Sequence, residues 1–124
     1  MSILFFEAFL MLLRFEPCLR HENFAALHGK VRNYPISRKP VSGESVGRIC
    51  SAVDLACIWY WKQVQCLQRS AATTCLLRQH GVAAQMVIGV QQIPFKAHAW
   101  VEVGGRVVND RIYLREMYSV LDEC

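Results

Sequence analysis

The spacing of hydrophobic residues changes character once along the chain. Up to Gly81 the apolar positions recur every three or four residues, the period of a helix face. Beyond it they gather in short runs rich in β-formers, some of them alternating. Residues 2–15 predict a helix that is apolar nearly all round. Pro17 then restarts the chain, and residues 17–28 predict a second helix closed by Gly29. Residues 29–43 hold Pro35 and Pro40 and predict a connecting loop. Ser42 is placed to cap the next helix, with Glu44 in its first turn. Along that helix Val46, Ile49, Cys50, Val53, Ala56, Cys57 and Tyr60 share one face. A further helix is expected over residues 66–80, with Leu67, Ser70, Thr74 and Leu77 near one stripe and Gly81 as its stop.

Residues 82–90 then predict a strand, Pro94 breaks the run, and residues 96–103 alternate. Gly104-Gly105 turns the chain into residues 106–110. Helices followed by a short antiparallel sheet make an α+β domain.

At 124 residues the chain is expected to be one domain, with N-terminal helices and a loop over residues 1–41 and the main core over 42–124. The apolar share of 53% against 19% charged is high for a free-standing small domain. Part of the surplus is expected to cover a partner or a second copy. The net charge of +4 is scattered, and the locally basic residues 29–40 lack interleaved aromatics, so no nucleic-acid partner is expected. Residues 3–13 are strongly apolar but too short for a bilayer, which takes about 20 residues. They read as a buried first helix, with an interfacial helix or a docking surface as alternatives. No basic start and small-residue cleavage site mark a signal peptide, so a cytoplasmic location is expected.

In that reducing setting the six cysteines are free thiols, most of them small core residues. None has C-x-x-C or paired Cys/His ligand spacing, so no metal is expected. Cys66 differs because it opens a predicted helix. There the dipole and unpaired N–H groups favour a thiolate and can hold the oxyanion of an acyl-transfer intermediate. Cys75 lies nine residues on, about 14 Å along the helix, and reads as core.

A nucleophilic thiol needs a base, and the base needs an orienting partner. His98 sits in the run Ala97-His98-Ala99-Trp100. The alanines leave space beside it, and Trp100 on the same face is a candidate substrate-binding wall. His80 adjoins the Gly81 stop, and His21 and His28 lie in the first third. Glu102 shares the face of His98 but stands about 13 Å along the strand. Asp110 depends on the turn. A two-residue Gly104-Gly105 loop pairs Val103 with Arg106 and sets His98 against Arg111. A three-residue loop with Gly105 in a bulge pairs His98 with Asp110, so a triad predicts that bulge or an equivalent one. Gln63 and Gln65, just before Cys66, are candidate oxyanion-hole amides; exposed loop glutamines are the alternative.

Several segments, Cys66-Leu67-Gln68-Arg69-Ser70, Gly81, Met86-Val87-Ile88-Gly89-Val90, Pro94-Phe95-Lys96-Ala97-His98-Ala99-Trp100-Val101-Glu102, Gly105 and Asn109-Asp110, occur in this order. Together they resemble the lasso-peptide leader peptidases. The resemblance covers about half the chain. It implies a transglutaminase-like, papain-like core with the nucleophile at a helix N-terminus and a triad of Cys66, His98 and Asp110, without metal or organic cofactor. It also implies a ribosomally made precursor peptide as substrate, cut between leader and core, and a separate ATP-dependent lasso cyclase that joins the freed amine to a core carboxylate. Fused members carry a leader-binding domain ahead of the peptidase. The short helical stretch here implies the split arrangement, with a separate leader-binding recognition protein and residues 3–13 as a candidate docking surface. Two rival readings remain: a transglutaminase-like acyltransferase or amidase on another substrate, and a non-catalytic adaptor of a peptide-modifying complex.

Overall fold

The computed structural model describes residues 2–38 and 45–124. Four helices come first: α1 (Ile3–Arg20), α2 (Phe24–Arg32), α3 (Val46–Trp59) and α4 (Cys66–Gln79). The strands β1 (Ala84–Gln92), β2 (Phe95–Val103) and β3 (Arg106–Val107) follow, then the single turn α5 (Leu114–Met117) and β4 (Ser119–Glu123). The sheet is antiparallel in the order β3-β2-β1-β4. This is the α+β architecture expected from the sequence.

Two helix boundaries differ from expectation. Pro17 does not restart the chain but lies inside α1, which continues to Arg20. Proline forfeits its own bond to the Leu13 carbonyl, at a cost of about 3 kcal/mol in a helix interior. Here only one turn follows it, and burial of Phe15 and Cys18 on either side holds that turn in place. The second helix then starts at Asn23, whose side-chain oxygen accepts from the Ala26 N–H at 3.1 Å. It runs through Gly29 to Arg32. A mid-helix glycine costs about 1 kcal/mol, less than the gain from burying Val31, which shares a face with Leu27. Ser42 and Glu44, expected at the start of the third helix, lie outside the described residues. The N-cap of α3 is Ser45, whose hydroxyl accepts from the Arg48 N–H at 3.2 Å.

In α1 Leu4, Phe5, Ala8, Met11, Leu12 and Phe15 form the buried stripe, while Ile3, Phe6 and Leu10 are exposed. Among the described residues no helix is long and apolar enough to cross a membrane. Helix α4 is the centre of the molecule. It packs against α1 and α3 on one side and β1 and β2 on the other, and every residue from Ser70 to Arg78 is buried. Its small Ala-Ala-Thr-Thr run lets both layers approach. The helix that opens with Cys66 is therefore held from all sides.

Candidate functional site

Cys66 is the first residue of α4, partly exposed. Gln65, the N-cap, is extended and its side chain makes no cap hydrogen bond. The first-turn N–H groups therefore keep their affinity for negative charge. The side chains of Gln63 and Gln65 are both exposed. Gln65 also lines a cavity of about 320 Å³ with Cys18, Asn23, Phe24, Leu27 and Leu67.

His98 lies on β2 directly across from Gly89 of β1. Its ring stacks on Trp100 and Tyr118, with centroids 6.1 Å and 5.7 Å away and planes inclined 28° in both cases. Trp100, expected as a substrate-facing wall, is 0% exposed and forms the floor beneath the imidazole. Glu102 explains why that floor stays put. Its buried carboxylate accepts from the Trp100 indole N–H at 2.9 Å and from Arg115 at 2.7 and 2.9 Å. Burial pushes the Glu102 pKa up, but the Arg115 and Trp100 hydrogen bonds outweigh it and hold the carboxyl below its ordinary range. Gly89 makes the cluster possible. A Cβ there would lie 2.7 Å from Trp100 Cη2 and 2.8 Å from Tyr118 Cβ.

Asp110 reaches His98 by a route other than the bulge expected from the sequence. The turn is the unbulged two-residue one, pairing Val103 with Arg106 and Glu102 with Val107. Gly104 and Gly105 have φ of 59° and 79°, which only glycine adopts freely at both central positions. Continued regularly, that register would set His98 against Arg111. However, β3 stops at Val107. The Val108 N–H still donates to the Val101 carbonyl at 3.0 Å, and then the side-chain oxygen of Asn109 accepts the Val101 N–H at 2.8 Å. A side chain thus replaces the main chain in the ladder, and the backbone turns away. Asp110 Oδ2 ends 2.7 Å from His98 Nε2, and Asp110 Oδ1 accepts the Arg111 N–H at 2.8 Å. Burial raises the Asp110 pKa, but these two hydrogen bonds prevail, and the carboxyl sits below its ordinary range. The expected bulge at Gly105 is absent; Asn109 takes its place.

With Nε2 engaged by Asp110, Nδ1 is the imidazole nitrogen left for a thiol. The Ser70 hydroxyl, one turn after Cys66, donates to the Ala99 carbonyl at 3.0 Å. The start of α4 is thereby drawn against the middle of β2, beside His98. The structure joins His98 and Asp110 directly. The Cys66 thiol makes no hydrogen bond among the described residues. Burial pushes Cys50 and Cys57 up to about 11 and Cys75 to about 12, and raises Cys124. These are thiols at neutral pH. Among the described residues no group of three or more His, Cys, Asp or Glu side chains is arranged to hold a metal. Tyr118 is not legible in the sequence as part of the site, since an aromatic after a short polar stretch carries no signal of stacking on a histidine.

Comparison with known proteins bears on the family of the chain. The model of the transglutaminase-like superfamily matches residues 9–123. The microcin J25-processing protein McjB of Escherichia coli is 45% identical over 58 residues. That stretch is 47% of this chain and 28% of McjB, so the chain spans less than a third of that relative. No solved structure matches significantly. The match over nearly the whole chain, on a helical half followed by a small antiparallel sheet, makes this protein a member of the transglutaminase-like superfamily.

Proposed function

We propose that this protein is a cysteine peptidase that removes the leader from a ribosomally made lasso-type precursor peptide. The observation that carries the reading is the 2.7 Å His98–Asp110 pair on a sheet packed against the helix that begins with Cys66. The name of the similar protein, a microcin J25-processing protein, supports the substrate class.

In this mechanism His98 Nδ1 takes the Cys66 proton, and the thiolate attacks the scissile carbonyl. The first-turn N–H groups of α4 face the developing oxyanion, with the exposed amides of Gln63 and Gln65 as further candidate donors. The imidazolium gives its proton to the leaving amine, and the leader remains as a thioester on Cys66. His98 then takes a proton from water, whose oxygen attacks the thioester and frees both leader and thiol. Asp110 holds Nε2–H throughout and stabilises the imidazolium. The chemistry calls for no cofactor.

Residues 1–124 are read as one peptidase domain working in the cytoplasm, where six free thiols persist. Its partners are the precursor peptide, a separate leader-binding protein and an ATP-dependent cyclase. The test is mass spectrometry of a lasso-type precursor incubated with the leader-binding partner and either wild type or Cys66→Ala. Cleavage at one bond by wild type alone is expected. No cleavage by wild type, with the partner shown to bind the leader, would turn the reading to another acyl substrate or to an adaptor.

A further inference from the structure

We propose that Arg69, Ser70 and Asn109 are positioning residues, a hydrogen-bonded staple that holds the segments bearing Cys66, His98 and Asp110 in one arrangement. The proposal rests on reading those three as the reacting groups, and its atoms all lie outside them.

Arg69 and Ser70 each touch the neighbour of a reacting residue, and Asn109 is itself such a neighbour. Ser70, 1% exposed, donates its hydroxyl to the carbonyl of Ala99, next to His98, at 3.0 Å. The Arg69 Nη2 donates to the carbonyl of Asn109, next to Asp110, at 2.7 Å. Both Arg69 and Ser70 lie within the first four residues after Cys66 in α4. Asn109, 7% exposed, closes the set. Its Oδ1 takes the Val101 N–H at 2.8 Å and its Nδ2 points to Ser70 Oγ at 3.4 Å. The last contact is long for a hydrogen bond, so the short Arg69 and Ser70 links are the principal ties.

The Arg69 link has a specific geometric consequence. The Asn109 carbonyl and the Asp110 nitrogen belong to one rigid peptide plane. Holding that oxygen restrains the plane and with it Asp110 Cα, from which the side chain leaves, at the point where the chain has just abandoned the ladder. Arg69 is itself fixed from α3, because its Nε donates to Asp54 Oδ1 at 2.9 Å. Its charge also favours the ionised form of Asp110. Without the staple, nothing in the two-residue turn would favour the register that presents Asp110 to His98.

The experiment uses the full chain and two readouts. Long-range ¹⁵N correlation spectra of the imidazole report which nitrogen of His98 carries the proton. Kinetics of precursor cleavage give kcat and KM. Wild type is expected to show the Nε2–H form, and Asp110→Ala a mixture. Arg69→Met keeps the aliphatic stem and removes the donors. It is expected to show the mixture while folded, with kcat lower by about 10–100-fold and KM within about threefold. Arg69→Lys, which can still donate to one carbonyl, should restore part of both. A folded Arg69→Met with the wild-type His98 spectrum overturns the proposal. If Arg69→Met does not fold, Ser70→Ala serves in its place: a mixture supports the staple and a wild-type spectrum overturns it. No cleavage by wild type would sink the peptidase reading, and cleavage that persists in Cys66→Ala would sink Cys66 as its nucleophile, while the His98 spectra would still decide the staple, so the failures are separable.

Discussion

His98 Nε2 lies 2.7 Å from Asp110 Oδ2, although the turn between their segments has a register that, continued, would pair His98 with Arg111. The departure takes place at Asn109, where a side-chain amide stands in for a strand. A charge-assisted bond of this length fixes the ring's orientation and its tautomer together.

That bond makes Asp110 the residue whose loss separates orientation from nucleophilicity. Asp110→Ala is expected to lower kcat for precursor cleavage by about 10²–10⁴-fold. Asp110→Asn keeps an oxygen that accepts from Nε2–H and should lose markedly less. Equal activity of Asp110→Ala and wild type would remove Asp110 from the mechanism.

Thiol reactivity offers a test that needs no substrate. With pKa values of about 11 to 12, Cys50, Cys57 and Cys75 hold on the order of a thousandth or less of their population as thiolate near pH 7.5. Iodoacetamide at that pH, followed by peptide mapping, should modify Cys66 first. Cys57, also partly exposed, is the internal control; labelling there at the same rate would undercut Cys66 as the nucleophile.

Two glycines should respond to alanine in opposite senses. At Gly89 the new Cβ would fall 2.7–2.9 Å from Trp100 and Tyr118, the two rings against His98. Gly89→Ala is expected to destabilise by about 1–3 kcal/mol and to depress cleavage. At Gly29, inside α2, nothing lies within 4 Å of the added carbon. Gly29→Ala is expected to stabilise by about 0.5–1 kcal/mol. Thermal unfolding of both variants beside wild type checks the pair.

Acid should unfold the protein through carboxylates that are engaged in the fold. Glu16, Glu102 and Asp110 are each raised by burial but brought below their ordinary values by their hydrogen bonds, to Lys62, Tyr60 and Gln68 in the case of Glu16. A carboxyl with a lower pKa folded than unfolded stabilises fully above the unfolded value, about 4. That contribution fades as pH falls through the folded value. The melting temperature is therefore expected to change little from pH 7 to 5 and to drop below about pH 4. In Glu102→Gln the drop should be shallower, because one of the three coupled protonations is gone; an identical slope would count against this account.

Local pattern along the chain is enough to specify several elements. Helix α4 from Cys66 to Gln79, the face of α3, the break at Pro94 and the turn at Gly104-Gly105 all follow from periodicity and backbone preference. So do the candidate thiol at a helix start and the candidate base in an alternating strand. Other features exist only because distant segments meet. Pro17 and Gly29 stay helical because burial of Phe15, Cys18 and Val31 outweighs a local cost. Trp100 is a floor because Glu102, itself held by Arg115, anchors its indole. Asp110 meets His98 because Asn109 finds partners on β2 and on α4, the latter about forty residues away in sequence. Periodicity reports which positions face a core. It carries no information about a side chain that takes over a main-chain bond, because that exchange is settled by groups the chain brings near only when it folds.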